Sequence, residues 1–216
     1  DPASAIAIRL RDELADEGYP WMSVVMAGKV ATLTGLAPNA AAKADGYRIG
    51  RAVVESELDA GERVNIVVDA ISVEGGPPPV GAALIDLTEN ATAGECQDAF
   101  YTMMTGRSIA FEPNESIVTT QSARLLDAAT GIALLCERHS IEIEGHIFGL
   151  GNDDVNLDLS QRRASAVRDY LMAYGAEPDS LIARGYGASR PLVDEQAQNA
   201  NVMNVRTVFV VRPRTN

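Results

Sequence analysis

Cysteine, histidine, aromatic residues and cations are all scarce in this chain, and each scarcity removes a class of function. Its 216 residues include two cysteines, Cys96 and Cys136, and two histidines, His139 and His146. There is no CxxC pair and no cluster of cysteines and histidines sufficient for a four-ligand set, so no metal site is expected. Eighteen Lys plus Arg stand against 30 Asp plus Glu, a net charge of −12. Polyanion binding works by counterion release at clustered cations, so nucleic acid is not an expected partner. Anionic lipid headgroups would repel the chain as a whole, although a local face could still touch a membrane. No run approaches the roughly 18 apolar residues that a membrane-crossing helix needs. Gly-x-Ser-x-Gly and phosphate-cradling loops are missing, and no convergent set of titratable groups stands out, so nothing marks an enzyme or implies a cofactor.

What is present reads as ordinary globular protein: 46% hydrophobic and 22% charged residues, well outside disordered compositions. The length favours two modules, hence two small cores. The first residues, Asp1-Pro2-Ala3-Ser4, carry no initiator Met and no leader pattern, as in a chain from which a signal or anchor has been removed.

Residues 3–17 place Ala5, Ile8, Leu10, Leu14 and Ala15 at amphipathic helical spacing, with Gly18 as terminator. Two β-prone runs, Met22–Met26 and Val30–Thr34, flank Ala27-Gly28-Lys29 and predict a hairpin. A second helix follows Pro38-Asn39, then a β-rich run from Arg63 to Val73. Glu74-Gly75-Gly76-Pro77-Pro78-Pro79 can continue neither helix nor interior strand and is the expected boundary. The apolar run Val80–Leu87 is an additional strand candidate, which would extend the first module to about residue 90.

From Cys96 the pattern predicts helix, strand, long helix, strand, long helix, strand. Residues 96–104 read as helix and Ser108–Phe111 as strand. In 119–138, Leu125, Ala129, Ile132 and Cys136 share one inward face. Ile141 and Ile143 alternate with Glu142 and Glu144, a half-buried strand. The second long helix is expected over 158–174, with Asp158 and Gln161 placed as a capping box. Thr207–Val211 is the last strand. The two cysteines, 40 residues apart, fit either buried thiols or one bridge.

The first half, with its helix-strand-strand-helix-strand order and the phrase Gly28-Lys29-Val30-Ala31-Thr32-Leu33-Thr34-Gly35, resembles the BON family of envelope modules. That resemblance implies phospholipid or other hydrophobic ligands, and no residue identifies such a site. Residues 96–211 resemble the OmpA-like domain. The matching phrases are Ile109-Ala110-Phe111-Glu112, Ile143-Glu144-Gly145-His146, Asn156-Leu157-Asp158-Leu159-Ser160-Gln161-Arg162-Arg163-Ala164, Gly185-Tyr186-Gly187 and Arg190-Pro191.

Together the two resemblances imply a two-domain α/β (α+β) chain: an αββαβ module over 1–73, a linker or extra strand over 74–95, and a βαβαβ sandwich over 96–216 with helices on a small mixed sheet. They further imply non-covalent binding of a diaminopimelate-type peptidoglycan stem peptide, no catalysis, and a periplasmic, cell-envelope setting with a membrane anchor ahead of the first module. A zwitterionic head needs opposite charges at fixed separation, and a bidentate Arg serves its carboxylate. Carried over by motif, that Arg is Arg163. Asn156, the N–H groups of Leu159 and Ser160, and Arg206 add hydrogen bonds or charge. The family's Asp, which takes the ligand's ammonium, is replaced by Phe148 in Gly145-His146-Ile147-Phe148. Losing that charge-assisted bond costs about 1.5 to 3 kcal/mol, one to two decades of affinity. Asp153 and Asp154 are the nearby carboxylates, expected on the same loop. A second reading follows, in which Phe148 fills the pocket and the fold serves protein interaction. Two-module envelope proteins of the ArfA/OmpATb type carry a disulfide from the domain's start to the end of its first long helix, and on that resemblance Cys96 pairs with Cys136.

Overall fold

The computed structural model describes residues 2–57, 64–149, 152–194 and 196–214. Arg63, the expected start of the third strand, lies outside them, as do Gly151 and the side chain of Asn201. The first half runs α1 (Pro2–Asp16), β1 (Met22–Ala27), β2 (Val30–Ala37), α2 (Ala40–Glu57) and β3 (Ile66–Val73). The antiparallel β1–β2 hairpin closes through Gly28-Lys29, with Ala27 opposite Val30. Gly28 has φ +51, the left-handed backbone that two-residue hairpin turns require. β3 joins β2 in parallel after the α2 crossover, and α1 and α2 bury Leu10, Leu14, Leu33, Val54 and Ile71 against this sheet.

The second half contains α3 (Ala93–Met104), α4 (Ala123–Leu135), β4 (His139–His146), α5 (Asp153–Ala173), β5 (Leu181–Gly187), α6 (Ala200–Met203) and β6 (Arg206–Pro213). Its mixed sheet has the order β5-β4-β6, with β5 parallel and β6 antiparallel to β4. α5 lies so close to this sheet that only glycine fits beneath it. A Cβ on Gly145 would stand 2.2 Å from the Ser160 carbonyl oxygen, and one on Gly185 2.4 Å from the Gln161 nitrogen.

Four expectations differ from this architecture. Ser108–Phe111 is not a strand; among the described residues its pairing is an isolated bridge between Phe111 and Val118. β5 was not anticipated, since Gly185, Gly187 and Arg184 depress its strand signal. Val80–Leu87 is not a strand either: Ala82–Leu84 form a 3-10 turn that drives Leu84 fully into the core. The fourth difference is α4. Instead of one inward face, every residue from Leu125 to Leu135 is buried.

The reason is that α4 separates the two sheets. Its Gly131 faces the first sheet, where an added Cβ would meet Leu84 Cδ2 at 2.5 Å, Val68 Cγ2 at 3.1 Å and Val30 Cγ1 at 3.3 Å. Val30, Ile66 and Val68 therefore share a continuous core with Phe100, Ile132, Ile143 and Phe209 from the second half. A helix apolar on all sides is one covered on all sides. Polar groups cross the same boundary. Asp69 of β3 is buried and pairs with Arg124 at 3.0 Å and Lys43 at 3.6 Å. Asp127 of α4 accepts from Tyr170 at 2.7 Å and Tyr47 at 3.5 Å. Cys96 of α3 is bonded to Cys136 at the end of α4, the pairing that the resemblance implied.

Candidate functional site

At the C-terminal end of β4 a recess of about 370 Å³ opens between residues 108–111, the strand end Gly145-His146, Arg163 of α5, and Val202, Val205, Arg206 and Thr207. A larger groove of about 460 Å³ lies elsewhere, between residues 82–91 and α3, and is lined by Asp86, Glu95 and Asp98 but by no Lys or Arg. The smaller recess has the opposite character. Among the described residues its lining holds two guanidiniums and no carboxylate, a local excess of positive charge on a chain of net −12.

Each cation is positioned by packing. Arg163 is half-buried; its guanidinium lies 4.8 Å from the centre of the Phe111 ring and its Nε donates to the Glu115 carbonyl at 2.8 Å. That bond takes only the Nε–H of the five donors a guanidinium carries. Arg206, at the start of β6, donates to the Arg190 carbonyl at 3.1 Å. Burial lowers the pKa of both from the ordinary arginine value, yet an arginine remains charged in any accessible pH range.

His146 closes the wall between them. Its ring is buried, stacks on Tyr186 with centroids 5.4 Å apart, and places Nε2 3.3 Å from Glu144 Oε2. Nδ1 has no hydrogen-bond partner among the described residues. Burial, then the Arg206 charge, pushes the imidazole pKa below its usual value, against the opposing pull of Glu144. Glu144 is itself held by Arg190 at 3.4 Å. The neighbouring Glu142 loses some basicity: burial alone would raise its pKa, but Arg212 at 2.5 Å, Tyr186 at 2.7 Å and Arg184 outweigh it.

The residues expected from sequence divide. Arg163 and Arg206 line the recess; Asn156, Leu159, Ser160 and Phe148 do not. α5 begins at Asp153, not near Asp158, because Asn152 is its cap and accepts from Val155 N at 3.0 Å. Leu159 and Ser160 therefore lie beyond the first turn, and their N–H groups are taken by the helix itself. Asp158 pairs with Arg162 instead of capping. Asp153 and Asp154 belong to the first helical turn and are not lining residues. The Ser160 hydroxyl accepts from Gly187 N at 2.9 Å and donates to the Leu157 carbonyl at 2.8 Å, locking α5 to the end of β5. Asn156 is buried within α5. Phe148 is half-buried beyond the end of β4 and leaves the recess open, contrary to the expectation that its ring occupies it. His139 is half-buried with Nε2 2.8 Å from the Ala91 carbonyl.

Sequence reasoning did not place Phe111, His146, Val202 or Val205 in the wall. The signal for Phe111 and His146 was their position inside the recognised motifs; α6 carries none.

Residues 110–205 match the model of the OmpA family. The peptidoglycan-associated lipoprotein of Brucella melitensis is 32% identical over 121 residues, which cover 56% of this chain and 71% of that protein. This chain belongs to the OmpA family. The matched residues contain most of the OmpA-family recess, from Ala110 through Gly145, His146 and Arg163 to Val205, and leave Arg206 just outside. The peptidoglycan-binding protein ArfA of Mycobacterium tuberculosis is 27% identical over 182 residues, covering 83% of this chain and about half (51%) of that protein. Among solved structures, the peptidoglycan-associated lipoprotein from Burkholderia pseudomallei aligns with 49% of this chain and 90% of its own, at 26% identity and a TM-score of 0.45.

Among the described residues no helix is long and apolar enough to cross a membrane, and no cluster of three His, Cys, Asp or Glu could hold a metal.

Proposed function

We propose that this OmpA-family chain binds peptidoglycan non-covalently, taking the carboxylate of a diaminopimelate-type stem-peptide residue between Arg163 and Arg206, and so holds its bearer to the cell wall on the periplasmic side of the envelope. The observation that carries this reading is the open recess whose described lining residues include two guanidiniums and no acid. Planar, weakly hydrated guanidiniums suit carboxylates, and partial burial raises the worth of each contact. The printed names of the Brucella and mycobacterial relatives agree with it. Without an acidic residue at position 148 the grip on a free zwitterion is expected to be weak. The alternative, that Phe148 fills the hollow and only protein interaction remains, loses its support because that ring does not line the recess.

We infer further that residues 1–73 are a BON-like module and 96–216 the OmpA-like one. The α1-β1-β2-α2-β3 order supports the first assignment. A recess of about 210 Å³ lined by Ala7, Ile8, Arg11, Ser23 and Val24 lies in that half.

Co-sedimentation with purified sacculi tests the binding. Arg206→Gln and Arg163→Gln should each lower the bound fraction, with affinity down about tenfold per lost charged contact. Because Arg163 also bonds the Glu115 carbonyl and stacks on Phe111, its variant should melt earlier as well, so the Arg206 variant is the cleaner probe. Undiminished sedimentation of the folded double variant would remove the recess from wall binding.

A further inference from the structure

We propose that the recess selects a carboxylate whose neighbouring amine is acylated, so that an amide N–H, not an ammonium, sits beside it. This rests on the reading that the recess holds stem peptide, and it specifies which chemical form of that peptide is held.

Three observations converge. First, among the described residues the lining contains the guanidiniums of Arg163 and Arg206 and no carboxylate. A free ammonium carried in with the ligand's carboxylate would be placed among like charges without a counter-ion, and like charges at such separations repel. Glu144, the nearest acid in sequence, is not in the lining and is committed to His146 and Arg190.

Second, the ring of His146 offers an acceptor. Both Glu144 carboxylate oxygens accept only, so the Nε2 contact at 3.3 Å requires the proton on Nε2. That tautomer leaves a lone pair on Nδ1, the atom with no partner among the described residues. The groups facing this ring are Glu144, Arg206, Arg190 and Tyr186, and burial with the Arg206 charge keeps it in the neutral form that can accept. A buried acceptor without a donor is a standing cost that an amide N–H would relieve.

Third, Ile109, Phe111, Val202 and Val205 give the recess apolar walls. These would pack against the carbon skeleton of an acyl substituent and gain nothing from a hydrated ammonium. A stem-peptide residue whose side-chain amine has been joined to a second peptide presents all three features: carboxylate, amide N–H and apolar acyl chain.

The test uses the full chain and two synthetic stem fragments, L-Ala-γ-D-Glu-diaminopimelate with its distal amine free and the same fragment with that amine acetylated. Amide shifts and titration calorimetry should give at least about tenfold tighter binding for the acetylated fragment. His146→Leu should erase the preference, and His146→Asn, which returns an acceptor near the Nδ1 position, should restore part of it. Equal or tighter binding of the free amine overturns this inference while leaving stem-peptide binding intact. Silence from both fragments up to millimolar concentration overturns the stem-peptide reading itself. A His146→Leu variant that keeps the full preference removes the histidine from the selection.

Discussion

The residues that shape the recess are held from behind as much as from within. His146 reaches its orientation through Glu144, which Arg190 holds in turn, a chain in which each partner limits the freedom of the next. Its depressed pKa has a sign that can be checked. The folded state disfavours the imidazolium, so the stabilising contribution is present above the ordinary histidine value of about 6.5 and is lost as pH falls through the lower folded value. Urea midpoints measured from pH 7.5 down to pH 5 should fall more for the native protein than for His146→Asn. Parallel curves would mean that the ring is not buried neutral. At this scale the sequence was partly legible. Arg163 could be located because a nine-residue motif fixes its place on a helix. Ser160 was misread because its N–H was assigned to the first turn of a helix that in fact begins at Asp153, whereas its hydroxyl joins that helix to a strand end. Gly145 and Gly185 were legible as motif letters only; their physical role, letting α5 rest on the sheet, depends on distances of 2.2 and 2.4 Å that no pattern encodes.

Among the elements, α4 departs furthest from its sequence signal. Periodicity marked Leu125, Ala129, Ile132 and Cys136 as one face, and all four are indeed buried. Ala128, Ala133 and Gly131 on the other sides are small enough to pass as solvent-tolerant, yet they let a second sheet approach. Small residues carry little periodic signal, so a helix buried on every side by Ala and Gly is hard to tell from an amphipathic one. The same holds for Leu84, whose 3-10 turn follows a proline run and reads locally as a strand. Leu84→Ala, emptying a fully buried site between α4 and the first sheet, should cost about 2 to 5 kcal/mol. Chemical denaturation would measure it, and a change under about 1 kcal/mol would mean that the turn does not seal the core. The Cys96–Cys136 bond reinforces the far side of α4 by tying its end to α3.

For the molecule as a whole, composition and length suggested two modules with two cores, and the strand order of the first half is visible in the chain, while in the second β5 is not. The shared core is not visible either, because contacts between Val30, Val68, Leu84 and Gly131 bring together residues from four separate elements. The expected consequence is one cooperative transition. Calorimetric and van't Hoff enthalpies should agree, and near-ultraviolet and far-ultraviolet melts should coincide. Two resolved transitions would overturn the account of α4 as a shared element. The isolated residues 1–91 should expose the Val30, Ile66 and Val68 face of their sheet and bind a hydrophobic dye, so a lipid-binding assay on that fragment would report an artefact of the cut.

α4 also decides how tension would travel. If the recess grips the wall while the N-terminal half is pulled elsewhere, the Gly/Pro stretch at 74–79 cannot act as a spring, since Leu84, Leu87 and Ala91 beyond it are locked into the core. Force would pass from one sheet to the other through a buried helix, and the two halves would yield together or not at all.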